Sequence, residues 1–270
     1  MSDAVEAESG QAPPAGEAEE PMHIHRPKPL HGLRAFLTEI GVIVLGIVIA
    51  LAGEQSVEAL HWRHVSHETM QDLDKEVRGN LIDAAVRTSV KACLEARLAD
   101  LRDKLIATRG AWRADPARLH LPLKPGPHEV VFGHVMPIVH GLPFFSYIHE
   151  AWDTARASGA LSHLPREKLA FYSSFYDTIQ RLSGWQDAES AAAARLAPLA
   201  YDTRLDGRDR DAVLADLATI DSNAFYLDQF SRLALEAARA QGLRPDPAEL
   251  AGDMKDGRET MGPCFEAYRG

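Results

Sequence analysis

Residues 35–53 read AFLTEIGVIVLGIVIALAG, and this stretch decides how the rest of the chain is read. At about 1.5 Å rise per residue it covers roughly 28 Å as a helix, close to the ~30 Å hydrocarbon thickness of a bilayer. Its uninterrupted apolar core, Ile40 to Gly53, covers about 21 Å. Thr38 and Glu39 therefore belong near one interface, where the carboxylate reaches headgroup water. We read a transmembrane helix over 35–53. Arg26, Lys28 and Arg34 precede it, whereas Glu54 and Glu58 follow it, with Arg63 the first cation beyond. Basic residues favour the cytoplasmic side, which places the tail inside and the chain from 54 onward outside. Trp62 then falls where an interfacial anchor belongs.

A cleaved signal peptide is the rival reading, with Ala50-Leu51-Ala52 as the small-x-small site and cleavage after Ala52. Against it stand the long Glu-rich region before the span and the missing polar stretch before the site. Both readings put the remainder outside the cytoplasm. Within the span, Glu39, Gly46 and Gly53 recur every seven residues and Ala50 sits four after Gly46. Small residues on one face let two helices approach closely, which makes this the packing face for a homo-oligomer. The plainer account is that glycine is common in membrane helices.

The chain has 270 residues, enough for one sizeable domain beyond the span or for two, and a net charge of −10. An acidic exterior repels phosphate, and no basic stripe interrupts it along the sequence, so nucleic acid is not an expected partner. Ala and Leu abound, and β-branched runs are nearly confined to 35–53, which predicts an all-α fold. Cys93 and Cys264 are the two cysteines. On the oxidising side they have one intramolecular pairing available, a disulfide that ties the C-terminal end to the first long helix. Two unrelated free thiols are the alternative.

Residues 1–30 are Glu, Ala, Pro and Gly with few large apolar side chains, and are expected to be disordered. The segment 54–270 reads as a helical extracytoplasmic domain. From Ser56 to about Thr108 apolar residues recur at three-four spacing, from Val57 and Leu60 through Leu73, Val77 and Leu81 to Leu105, in one helix that continues the span. Gly110 is its terminator. Residues 111–145 carry six prolines and form an irregular Pro/His-rich connection, with a short ordered piece at Val130–Phe132. Ser146 caps a short helix at Tyr147–Ser158, closed by Gly159. Pro165 opens a helix running to about Leu199, and Asp209–Ala240 is the last long helix, with a short one after Pro247. The sum is an extracytoplasmic helical bundle.

Three features carry a family resemblance: the entry Phe36-Leu37-Thr38-Glu39 with the span ending Ile49-Ala50-Leu51; the stretch Trp152-Asp153-Thr154-Ala155…Ser158-Gly159-Ala160-Leu161…Leu164-Pro165; and Cys264 near the C-terminus. In these the chain resembles an uncharacterised family of bacterial single-pass membrane proteins. The resemblance implies a membrane-anchored helical protein and brings no catalytic residues. With the orientation argued above, it implies a bacterial inner-membrane protein with its N-terminus cytoplasmic and its helical domain periplasmic.

The remaining candidates are histidines. His61, His64 and His67 repeat every three residues with Glu68 four after His64, a spacing that suits a shared metal or a solvated helix face. His128, His134, His140 and His149 converge only if the connection folds back. His149-Glu150-Ala151-Trp152-Asp153 is similar to a two-ligand HExxH helix, but Asp stands where the second His belongs. No nucleophile elbow, phosphate-cradling Gly loop or CxxC is present, so no catalytic residue, cofactor or metal is assigned. Asn223 in an apolar stripe reads as a buried polar residue bonded to a neighbouring helix. The expectation is a non-enzymatic interaction or scaffold module whose partner is an unidentified envelope protein. The alternative is a sensory or ligand-binding helical domain, with a pocket near 128–153; a metallohydrolase stands behind both.

Overall fold

The computed structural model describes residues 32–114 and 144–261. The tail at 1–30, most of the connection at 111–145 with Val130–Phe132, His128, His134 and His140, and Cys264 all lie outside the described residues. The fold is all-α. Among the described residues five α-helices follow in order: α1 (Gly32–Ala107), α2 (Glu150–Ala157), α3 (Arg166–Arg195), α4 (Gly207–Ala240) and α5 (Pro247–Met261). Two-residue strands, β1 (Ala111–Trp112) and β2 (Thr203–Arg204), pair antiparallel, with Ala111 opposite Arg204. The chain divides into two compact units, 1–56 and 57–270.

In the first unit the described residues are helical, and the large side chains from Leu33 to Leu51 are bare. So much apolar surface without a core to face calls for an apolar surrounding. This stretch makes α1 the one helix among the described residues that is long and apolar enough to cross a membrane. Hydroxyls near its ends bond to their own helix: Thr38 Oγ1 donates to the Arg34 carbonyl at 2.9 Å and Ser56 Oγ to that of Ala52 at 2.7 Å. Glu39, Gly46, Ala50 and Gly53 are exposed, and a Cβ added at either glycine would meet nothing.

In the second unit the expected stripe on α1 is buried from Leu73 onward, at Leu73, Val77, Leu81, Leu94, Leu98, Leu101 and Leu105. Val57 and Leu60 are exposed instead, so the expected stripe begins too early. Leu73, Val77 and Leu81 pack against Tyr172, Phe175, Tyr176 and Ile179 of α3 and Leu227 and Ala234 of α4. A second cluster joins Leu98, Leu101 and Leu105 to Leu196, Leu199, Leu217 and Ile220, closed by Trp112, whose indole N–H donates to the Leu199 carbonyl at 2.8 Å.

Helix ends follow local chemistry. Gly110 has φ 91° just past α1, as expected of the terminator, and Gly159 has φ 77° just past α2. At the start of α4, Asp209 N–H donates to Asp206 Oδ1 at 2.8 Å while Asp206 N–H donates to Asp209 Oδ2 at 3.2 Å, a reciprocal capping box. Two boundaries differ from expectation. The helix expected to reach Leu199 stops at Arg195 and passes into a tight turn, Ala197–Ala200, because Pro198 has no N–H for the next helical bond. The helix expected from Tyr147 begins at Glu150, because Tyr147 and Ile148 are drawn into an extended segment by contacts described next.

Candidate functional site

The histidines expected on α1 do not converge. His61, His64 and His67 are exposed, and His64 Nε2 lies 3.2 Å from Glu68 Oε1 within one turn. His149 Nδ1 lies 2.8 Å from Asp153 Oδ2, and the next charged neighbour is the cation Arg156, 3.5 Å from Asp153. Among the described residues no three His, Cys, Asp or Glu side chains come together to hold a metal ion. Trp62 is half-buried and stacks on the His163 ring at 3.7 Å with an 8° tilt. Cys93 is half-buried on α1 and carries no free thiol, while its expected partner lies outside the described residues.

A polar framework then fixes residues 144–152. Asn80 of α1 donates to the Ile148 carbonyl at 2.7 Å and accepts from the Ile148 N–H at 2.8 Å. Gln186 of α3 treats Phe145 the same way, donating at 2.8 Å and accepting at 2.9 Å. Two side-chain amides thus supply the bonds a neighbouring strand would supply. Glu76 of α1 caps α2 from outside, accepting from Ala151 N–H at 2.8 Å and Trp152 N–H at 3.4 Å, and from the Tyr176 hydroxyl at 2.6 Å. A carboxylate there also meets the positive end of the helix dipole.

Beneath this segment lies a buried polar cluster. Arg87 and Glu189 pair at 2.5 Å with both side chains almost fully enclosed. Among the described residues Arg87 Nη1 and Glu189 Oε2 are buried without a hydrogen-bond partner, and the buried Tyr147 hydroxyl lies beside Ser231. Burial raises the Glu189 carboxyl above its usual range, and the Arg87 guanidinium opposes that rise. Burial, then the nearby Asp83 carboxylate, pushes the Tyr147 hydroxyl well up, so it remains a neutral donor. Asp83 itself is pushed up to about 7, by burial first and then by Asp253 of α5.

The concave site is elsewhere, where α4 and α5 diverge. Gly242, at φ 75°, takes the left-handed position that reverses the chain after α4; its N–H donates to the Arg239 carbonyl at 3.0 Å and Leu243 N–H to that of Ala238 at 2.9 Å. Asp246 then caps α5, accepting from Ala248 N–H at 2.7 Å and Glu249 N–H at 3.1 Å, with Pro247 at the first helical position. Leu250 and Met254 seat α5 on Ile82, Val86, Val90 and Leu94 of α1.

The wedge left between the two helices is a cavity of about 940 Å³. Leu235, Leu243, Leu250 and Met254 contribute its apolar lining. Its polar lining carries five cations, Arg232, Arg239, Arg244, Lys255 and Arg258, against one carboxylate, Glu236. Arg232 is held by Asp228 at 3.1 Å, whereas Arg239, Arg244 and Lys255 pair with no carboxylate among the described residues. Sequence reasoning missed this site. Arg232 and Arg239 are seven apart on α4 and Lys255 and Arg258 three apart on α5, so each pair shares a helix face, but only the Gly242 reversal brings the faces together. No basic stripe interrupts the acidic chain in sequence, yet one is assembled in space. No family model, curated protein or solved structure matches this chain.

Proposed function

We propose that the protein is a single-pass membrane protein whose helical outer domain works by binding a small molecule, without making or breaking bonds. The observation that carries this reading is the cavity between α4 and α5, which joins an apolar lining to convergent charged groups, as small-molecule sites do. None of its described lining residues falls within 144–153, the described part of the stretch expected to carry a pocket. The bare apolar stretch from Leu33 to Leu51 supports the anchor, and the charge bias around it supports an outward domain in the bacterial envelope. A scaffold role is the second reading, favoured by Phe225, Tyr226 and Leu233, exposed on α4.

The test is amide hydrogen exchange on the full chain in nanodiscs of host lipid extract and of synthetic phosphatidylcholine. A bound molecule from the extract is expected to slow exchange over 239–254. Identical exchange in both removes the ligand-binding reading and leaves the scaffold. Loss of the chain from membranes on alkaline extraction removes the anchor.

A further inference from the structure

We infer that the cavity between α4 and α5 takes an anionic amphiphile: an acyl chain ending in a carboxylate or a phosphate. The inference rests on the ligand-binding reading and names the class of ligand.

Charge sets the head group. The chain as a whole carries 29 Lys and Arg against 39 Asp and Glu, so chance composition predicts an acidic rim. The rim instead holds five cations and one carboxylate. Helix-end electrostatics accounts for Arg239 and Arg258, which lie in the last turns of α4 and α5. It does not account for Arg244, which lies between the helices, or Lys255, in the body of α5. The Ala238 and Arg239 carbonyls, which would repel an anion at the mouth, are already occupied by the Leu243 and Gly242 N–H groups. Cations beside a low-dielectric apolar wall attract anions more strongly than on an open surface.

The lining sets the body. Leu235, Leu243, Leu250, Ala251, Met254 and the two prolines offer no aromatic face to stack a base and no side-chain amide to read one. A nucleotide or a sugar phosphate would leave that surface uncovered. A neutral lipid would cover it and leave Arg239, Arg244 and Lys255 without a counter-charge. At about 940 Å³ the cavity stands near the upper end of the roughly 300–1,000 Å³ range of small-molecule sites, room enough for a flexible chain. Met254 adds an adaptable wall, its sulfur 3.3 Å from the Ser89 hydroxyl.

The experiment uses the full chain in phosphatidylcholine nanodiscs and three photoreactive dodecyl probes with carboxylate, trimethylammonium and maltoside heads. Adducts are mapped by peptide mass spectrometry. The carboxylate probe is expected to label peptides covering Leu243–Met254 about tenfold more than the ammonium probe. Arg244→Glu with Lys255→Glu is expected to bring that labelling down to the maltoside level. Should the double reversal fail to fold, Arg244→Gln with Lys255→Gln tests the same point. Displacement by free dodecanoate alone identifies a soluble fatty acid as the source; displacement by phosphatidylglycerol doped into the disc identifies a membrane lipid. Equal labelling of the cavity by all three heads overturns the anionic class while keeping a ligand site. No labelling of the cavity by any probe overturns both.

Discussion

Asn80 holds Ile148 by both of its backbone polar groups, donating at 2.7 Å and accepting at 2.8 Å, across 68 residues of sequence. Asn80 is itself buried, so this amide serves as one rung of a sheet inside a helical protein. Gln186 supplies the next rung at Phe145, and together they turn 144–149 into a strand with no strand beside it. The Arg87–Glu189 pair and the Tyr147 ring lie beneath it, so the segment covers charge as well as apolar surface.

Replacing Asn80 with Leu should therefore cost about 2–3 kcal/mol, because it strands a donor and an acceptor together. Asn223, at 9% exposure, makes no hydrogen bond to a neighbouring helix among the described residues, so Asn223→Leu breaks no such bond and should cost far less than Asn80→Leu. Thermal unfolding of the full chain in nanodiscs, followed by circular dichroism, compares the two. Equal losses would show that the amides act through packing rather than through the bonds to Ile148.

The buried Arg87–Glu189 pair gives a prediction of opposite sign for single and double replacements. Arg87→Met or Glu189→Leu alone leaves an uncompensated buried charge and should cost about 3–5 kcal/mol. The double replacement removes two desolvated charges and two unpartnered atoms, and should be neutral or stabilising by about 1–4 kcal/mol. A double variant as unstable as either single one would mean that the pair fixes the helix register.

The fold was legible where apolar periodicity and helix punctuation agreed. Leu73, Val77 and Leu81 on α1, Val213, Leu217 and Ile220 on α4, and the stops at Gly110, Gly159 and Gly242 were all readable in one dimension. Three matters were not. Asn80 and Gln186 lie in ordinary helical sequence, and the residues they hold are 68 and 41 positions away, so nothing local marks them. Asn223 stands out in the sequence because it interrupts an apolar stripe, yet polarity within a stripe says nothing about whether a partner is in reach. The basic rim needed the Gly242 reversal to exist at all. A net charge averages over faces that the fold separates.

The disulfide remains a proposal with a direct readout. The structure leaves Cys93 without a free thiol, and Cys264 is the one other cysteine in the chain. Such a bridge closes a loop of about 170 residues and contributes up to ~5 kcal/mol in the chain-entropy model. Thiol titration of the unfolded, unreduced chain should count zero, and two after reduction, with a fall in the unfolding midpoint. Two thiols before reduction would remove the bridge.

Asp83 contributes to the pH dependence of the helical domain's stability. Its carboxyl is raised from the ordinary 3.8 to about 7, by burial first and then by Asp253, with Tyr147 on its other side. Asp253 is itself raised, by burial and then by Asp256. Because the folded protein holds this proton more tightly than the unfolded chain, the contribution is full below about pH 4 and is lost as pH climbs to about 7. At about 1.4 kcal/mol for each tenfold change in proton affinity, the loss is at most about 4 kcal/mol. Asp83→Asn should flatten the profile, with an unfolding temperature close to that of the parent near pH 4 and clearly above it near pH 8. Parallel profiles for parent and variant would mean that Asp83 ionises in the folded protein as it does in water, and that the burial between α1 and α5 is looser than the structure has it.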